Sequence, residues 1–275
     1  MQQDALEIYL SDLQLGEIRY FDTIDSTNDF AASWASEGAP DRSLVIADEQ
    51  TAGRGRGDHK WFTPPGAALA FSLILGPESF DVGEQVTRMT GLGALGVCRV
   101  LRGKYQLPAQ IKWPNDVLLA GRKAAGVLAE ASWVGDRLST VVLGVGINVG
   151  AAAIPPQGWN GHHARPFPAT SVESALGGCV NRLVFLRHIL VEILEWLPDL
   201  QSQEFIRSWC GNLAFRGEWV KVVPLAIEGG RMLPFDGLVV GLCADGSLKV
   251  RRRSGDEVSL RVGEIRLCPV DSSPK

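Results

Sequence analysis

Three stretches of this chain hold residue types able to do chemistry together. The first is Ala52-Gly53-Arg54-Gly55-Arg56-Gly57-Asp58-His59-Lys60-Trp61. Glycines let a backbone turn tightly and approach an anion closely. Arg54 and Arg56 add planar, permanently charged forks suited to carboxylate and phosphate, Lys60 adds a point charge, and Trp61 offers a stacking face. The stretch lies between two expected strands. A long Gly-bearing loop in that position is usually functional or mobile. An anion-binding loop therefore accounts for it better than a solvated surface loop.

The second stretch is residues 111–128, IKWPNDVLLAGRKAAGVL. Pro114 bends the chain, and Lys112, Asn115, Asp116 and Lys123 fall within twelve positions. If the flanking strands pair, both lysines point into one pocket. The same spacing suits a hairpin with its lysines solvated at a sheet edge, and the residues alone leave both readings open. The third stretch, Asp25-Ser26-Thr27-Asn28, has the short side-chain oxygens of a helix cap. A hydroxyl donates once and accepts twice, so it can cap and also meet a ligand.

Other patterns carry less chemistry. Gly91-Leu92-Gly93-Ala94-Leu95-Gly96 matches G-x-G-x-x-G, but helix-like GEQVTRMT precedes it where a strand is required. Close helix packing is expected; the alternative, a nicotinamide site, has Asp116 twenty residues later in its favour. Neither a P-loop nor a G-x-S-x-G elbow occurs. His162-His163 has no partner at metal spacing, Arg251-Arg252-Arg253 reads as a solvated strand face, and Trp196 and Trp209 sit on helical core faces.

Elements must position these groups. A helix is predicted over 28–37, stopped by Gly38 and Pro40. Strands follow at 43–50 and 68–76, the second apolar on both faces and so central. A helix is predicted over 83–103, two short strand pieces over 109–121, and paired strands joined at Val134-Gly135-Asp136. Residues 149–170 should be irregular, and 171–212 mostly helical. Beyond Gly211 come short strands with turn signals at Asp236-Gly237, Asp245-Gly246 and Ser254-Gly255-Asp256, which predict a small β-barrel. The tail Asp271-Ser272-Ser273-Pro274-Lys275 should fray.

Composition excludes several classes. The 275 residues are 45% hydrophobic and 21% charged, so the chain can bury a sizeable core. A net charge of −4 argues against attachment to nucleic acid through bulk positive charge. The five cysteines, at 98, 179, 210, 243 and 268, form no C-x-x-C pair, which fits free thiols in a reducing cytoplasm. The acidic start lacks a signal-peptide plan, and apolar runs such as ALAFSLILG are too short to span a bilayer.

Taken together, Ser26-Thr27-Asn28, the run from Glu49 to Arg56, Lys60-Trp61, Lys112-Trp113-Pro114-Asn115-Asp116, Arg122-Lys123-x-x-Gly126 and Gly144-x-Gly146-Ile147-Asn148 follow in one order over about 120 residues. This order resembles the biotin–protein ligase family, also called biotin–[acetyl-CoA-carboxylase] ligase or holocarboxylase synthetase, over about residues 17–150. The resemblance implies an α/β (α+β) fold: a mixed, mainly antiparallel sheet with helices on one face, of the class II synthetase-like type, in a catalytic domain of residues 1–213. A C-terminal SH3-like β-barrel would occupy 214–275.

The resemblance also implies two-step chemistry. Biotin attacks the α-phosphorus of ATP to give biotinyl-5′-AMP, and a lysine of a biotin carboxyl carrier protein then takes the biotin. Biotin would be bound by Ser26, Thr27, Asn28, Gln50, Arg54, Gly55, Arg56, Lys123 and Gly126. Ser26, Thr27 and Gln50 would face its ureido ring. ATP would meet Arg54, Arg56, Lys60, Trp61, Lys112, Asn115, Asp116 and Asn148. Catalysis would rest on Arg54, Arg56, Lys123, Lys112 and Asp116, with Asp116 also the carboxylate for magnesium or the incoming lysine. Loop 52–61 would close as a lid, with Gly53, Gly55 and Gly57 supplying freedom.

Two departures stand out. Gly57-Asp58-His59 follows Arg56 where many members place a further arginine, and the barrel end offers Glu264 and Arg266 without a clear register to the family's C-terminal arginine. About 25 residues precede Ser26, too few for a helix-turn-helix domain, so a ligase without DNA binding or repressor function is expected. A cytoplasmic protein is expected, and exposed sheet edges could pair protomers as a homodimer. Two alternatives are a lipoate/octanoate ligase of the same fold, and a non-catalytic biotin-sensing regulator.

Overall fold

The structure is a computed structural model, and it describes residues 1–57, 59–77, 86–156, 168–224, 233–261 and 265–269. The first element is α1 (Gln3–Tyr9). It is followed by β1 (Ile18–Ile24), α2 (Thr27–Ser36), β2 (Leu44–Gln50) and β3 (Ala68–Leu75). Next come α3 (Val86–Gly103), β4 (Ala109–Lys112), β5 (Asp116–Leu119), β6 (Arg122–Val134) and β7 (Arg137–Asn148). Three helices, α4 (Val172–Leu176), α5 (Arg182–Trp196) and α6 (Gln203–Gly211), lead to β8 (Trp219–Pro224), β9 (Phe235–Leu242), β10 (Leu248–Arg252), β11 (Glu257–Leu260) and β12 (Ile265–Pro269).

β1 to β7 form one sheet in the order β1-β2-β3-β7-β6-β5-β4. Only the β1/β2 pair is parallel. β8 to β12 form a second, antiparallel sheet in the order β11-β10-β9-β8-β12. The mixed, mainly antiparallel architecture is as expected, but the helices do not all share one face. Leu69, Phe71, Leu73 and Leu75 of β3 pack with α3 and α5, whereas Val45, Ile74 and Val142 on the other face are covered by Ala31 and Trp34 of α2. Strands apolar on both sides require cover on both.

Most element ends follow the sequence. Ser26 caps α2 by accepting from Asp29 N–H, and Asn181 caps α5 by accepting from Leu183 and Val184 N–H. Gly91, Gly93 and Gly96 are buried inside α3. A Cβ on Gly91 would stand 2.5 Å from the Trp209 ring, and one on Gly96 2.9 Å from Ile193. These glycines serve helix packing, and the nicotinamide alternative falls. Turns occur at Asp245-Gly246 and Ser254-Gly255, but Asp236-Gly237 lies inside β9. There Gly237 admits a neighbour, since its Cβ would stand 3.2 Å from that of Val250.

Residues 83–85, Asp58, His162-His163, Glu264 and the tail lie outside the described residues, as does the side chain of Arg266. Cys98, Cys179, Cys210 and Cys243 are free thiols. Among the described residues no helix is long and apolar enough to cross a membrane.

Candidate active site

One row of cross-strand partners runs the full width of the large sheet. Phe21 pairs with Ala47, Ala47 with Ala70, Ala70 with Gly146, Gly146 with Gly126, Gly126 with Asp116, and Asp116 with Lys112. Directly opposed residues project to the same face. By strand alternation this is the face of Val45, Ile74 and Val142, which α2 covers further along. Side chains therefore shrink to nothing in the middle of the row and end in a carboxylate and an ammonium. The result is a trough floored by Ala70, Gly146 and Gly126, with charge at one end.

The loop after β2 folds over this trough as a hairpin. Gln50 bridges to Thr63 and Arg54 to Lys60, while Gly55 N–H donates to His59 O at 2.7 Å and Trp61 N–H to Gly53 O at 2.7 Å. The Trp61 indole is buried on the trough floor. A Cβ on Gly126 would stand 3.1 Å from its ring, and one on Gly146 would collide with its nitrogen. That indole N–H has no hydrogen-bond partner among the described residues.

At the charged end, Asp116 Oδ1 lies 2.5 Å from Lys123 Nζ, and Oδ2 lies 3.5 Å from Lys112 Nζ. The open question of the two lysines is thus answered: β5 runs between β4 and β6, and both cations reach its first residue. Burial pushes the Asp116 carboxyl upward, but Lys123 and Lys112 outweigh it and hold the group below the usual carboxylate range. Arg56 joins from the hairpin, with Nη1 donating to Asn115 Oδ1 at 3.4 Å. Burial lowers its pKa, and the nearby Asp116 opposes that shift. Lys123 Nζ also stands 5.4 Å from the centre of the Trp61 ring.

Asn115 is anchored to β6, donating from Nδ2 to Val127 O at 3.1 Å, and Trp113 Nε1 donates to Gly246 O in the β9–β10 turn at 3.0 Å. Segment 168–170 runs beside Lys123: Lys123 N–H donates to Pro168 O and Thr170 N–H to Lys123 O. Asn148 Nδ2 donates to Thr170 O at 3.1 Å.

The other arginine of the loop goes elsewhere. Arg54 Nη2 lies 2.5 Å from Glu130 Oε2 and 2.7 Å from Asp29 Oδ1. Asn28 is fully engaged, donating to Glu130 Oε2 at 2.8 Å and accepting from Ser72 Oγ at 2.7 Å. Ser26 and Thr27 are buried at the start of α2, with Thr27 N–H and Oγ1–H both donating to Gln50 Oε1. Lys60 is exposed.

Sequence reasoning missed Asp29, Glu130, Ser72, Thr63 and Thr170. Only Ser72 carried a local signal, as a lone hydroxyl in an apolar strand. Among the described residues no cluster of three or more His, Cys, Asp or Glu side chains could hold a metal ion.

Comparison with known proteins agrees with this geometry. The profile of the biotin/lipoate A/B protein ligase family matches residues 20–148. The chain is 36% identical over 193 residues to the bifunctional ligase/repressor BirA of Bacillus subtilis, covering 68% of this chain and 55% of that protein. It thus spans about half the length of such curated relatives. It is 32% identical over 238 residues to the biotin–[acetyl-CoA-carboxylase] ligase of Paracoccus denitrificans, covering 85% of this chain and 94% of the relative. The biotin protein ligase of Aquifex aeolicus, solved with biotin and ATP, superposes with a TM-score of 0.74 at 27% identity, over 92% of this chain and 99% of the other. The chain belongs to the biotin/lipoate A/B protein ligase family, on its biotin–protein ligase side.

Proposed function

We propose that this protein activates biotin with ATP and passes it to a lysine of a biotin carboxyl carrier domain. The observation that carries this reading is the placement of Arg56, Lys123 and Lys112 around Asp116 at the end of a glycine-floored trough. In this reading the bicyclic ring lies toward Ser26, Thr27 and Gln50, and the carboxylate reaches Lys123 and Arg56. A carboxylate oxygen attacks the α-phosphorus of ATP, the bond to the β-phosphate oxygen breaks, and pyrophosphate leaves with that electron pair. Arg56 and Lys123 hold the charge that grows on the phosphoryl oxygens, a preorganised contribution that needs no side-chain nucleophile.

The lysine amine of the carrier then attacks the acyl carbon, AMP leaves with the electrons of the acyl–oxygen bond, and the amine loses a proton. In this reading Asp116 orients that amine in exchange for one of its lysine contacts. The Trp61 hairpin keeps water from the anhydride in the interval. Asn148, at the end of β7, and Asn115 are assigned to the nucleotide. Arg54 reaches the reacting groups only on release from Asp29 and Glu130; in place, it pins the hairpin to the sheet.

Magnesium would be carried by the nucleotide phosphates and would supply counter-charge to them. Both Asp116 oxygens are already taken by lysines, so these residues do not form a ready protein cage, and no step is assigned to a protein-held metal. The free thiols favour the cytoplasm as the site of action. We divide the chain at 213/214, with the small sheet as an accessory unit.

The test is transfer. The protein is mixed with MgATP, a purified carrier domain, and either biotin or lipoate, and the carrier is weighed by mass spectrometry. One biotinyl group per carrier is expected. Lipoyl addition, or no addition by folded protein, would contradict the reading.

A further inference from the structure

Ser72 is fully buried in β3, and the other seven residues of that strand are apolar. Its register partners are Val45 on one side and Gly144 on the other, one step along from the trough floor. Gly144 makes room for Asn28, whose Cγ would stand 2.7 Å from a Cβ built there. The Ser72 hydroxyl reaches Asn28 Oδ1 at 2.7 Å and Thr27 Oγ1 at 2.9 Å.

Proton ownership in this network follows from what each atom can do. Asn28 Nδ2 donates to Glu130 Oε2 at 2.8 Å, which leaves its Oδ1 to accept. The Ser72 proton is therefore shared between Asn28 Oδ1 and Thr27 Oγ1. Gln50 Nε2 donates to Thr63 Oγ1 at 2.9 Å, while its Oε1 accepts from Thr27 N–H at 2.8 Å. The Thr27 proton goes to Gln50 Oε1 at 3.0 Å, while Thr27 Oγ1 itself accepts from Ser72 Oγ at 2.9 Å. Thr27 is left with one lone pair and no proton for a ligand.

We propose that Ser72 is a positioning residue that fixes Thr27 as an acceptor-only group, so that the trough selects a ring bearing an N–H. This rests on the biotin reading, in which a cyclic urea supplies that N–H. A ring without one, such as a dithiolane, leaves a buried acceptor unpaired, and a site built for a hydrogen bond rejects ligands that lack it. Threonine in a helix otherwise divides between two side-chain rotamers. Ser72 and Gln50 together hold one.

The experiment is a binding cycle by calorimetry. The parent and Ser72→Ala are titrated with biotin, with biotin methylated at its ureido nitrogens, and with ATP. Ser72→Ala should weaken biotin about five- to tenfold, the effect of one neutral hydrogen bond. It should leave ATP unchanged and cost the methylated analogue nothing further, since that ligand has no N–H for Thr27 to accept. Equal weakening of both ligands would make Ser72 merely structural and overturn the inference, as would an unchanged affinity for biotin. If Ser72→Ala does not fold, Ser72→Cys, a weaker donor of similar shape, should show a smaller loss with the same selectivity, and an equal loss for both ligands would again overturn it. A parent that binds no biotin sinks the biotin reading and this inference with it; a parent that binds biotin while the variants bind it equally well sinks the inference alone.

Discussion

Lys123 and Asp116 stand on neighbouring strands, β6 and β5, with their charged ends 2.5 Å apart. A β-bulge between Val117 and Leu118 shifts the register of the pair, so that Asp116 opposes Gly126 while Leu118 opposes Lys123. The bulge lets the lysine reach back along the strand to the carboxylate, leaving the glycine free to floor the trough.

Removing that carboxylate should be costly. Asp116→Asn leaves two ammonium groups largely buried without their counter-charge, and the loss should be about 3 kcal/mol in urea unfolding at neutral pH. Because the folded carboxyl titrates below its ordinary value of 3.8, its contribution is complete above that pH. It is lost as pH falls through the lower folded value. The gap between parent and variant should therefore close in strong acid; a gap independent of pH would show that the pair is not ionised as described.

Chemistry should suffer separately from folding in Lys123→Ala and Arg56→Ala. Each removes one preorganised cation, so biotin-dependent pyrophosphate release should slow by about 10²–10³ while circular dichroism stays near that of the parent. Near-parental rates in both would mean the reacting anion lies elsewhere.

Bulk added to the trough floor should displace the lid. A Cβ on Gly146 collides with the Trp61 indole, so Gly146→Val should raise the biotin KM at least tenfold, by roughly 1.4 kcal/mol or more, and red-shift part of the tryptophan fluorescence. Unchanged fluorescence with unchanged KM would place Trp61 away from the floor.

The small sheet's β9–β10 turn should stabilise the turn between β4 and β5. Trp113→Phe removes the donor to Gly246 O and should lower stability by about 1–2 kcal/mol. Faster amide exchange should appear in both 109–119 and 243–248. Exchange confined to one of these segments would argue against the coupling.

Much of this was legible beforehand because local rules fixed it. The helix cap at Ser26, the strand pair around Gly135 and the burial of Gly91 in a helix follow from residue type and period alone. The side of the sheet taken by α2 did not follow. The doubly apolar strand β3 implied cover on both faces, yet local sequence says nothing of which helix supplies it. The Asp236-Gly237 signal failed because a glycine admits a close strand as readily as a turn. At the site, the residues of the charged cluster were all visible by type. Their convergence on Asp116 needed strand register, and the capture of Arg54 needed Glu130, 76 positions away.

The most direct test of the central claim omits the carrier altogether. Folded protein is mixed with biotin and MgATP, and pyrophosphate is followed against time. A rapid burst of about one equivalent per chain, then slow turnover, is expected if the pocket shelters an acyl-adenylate. Pyrophosphate that never rises above the biotin-free control, in protein shown to bind biotin, would contradict the account.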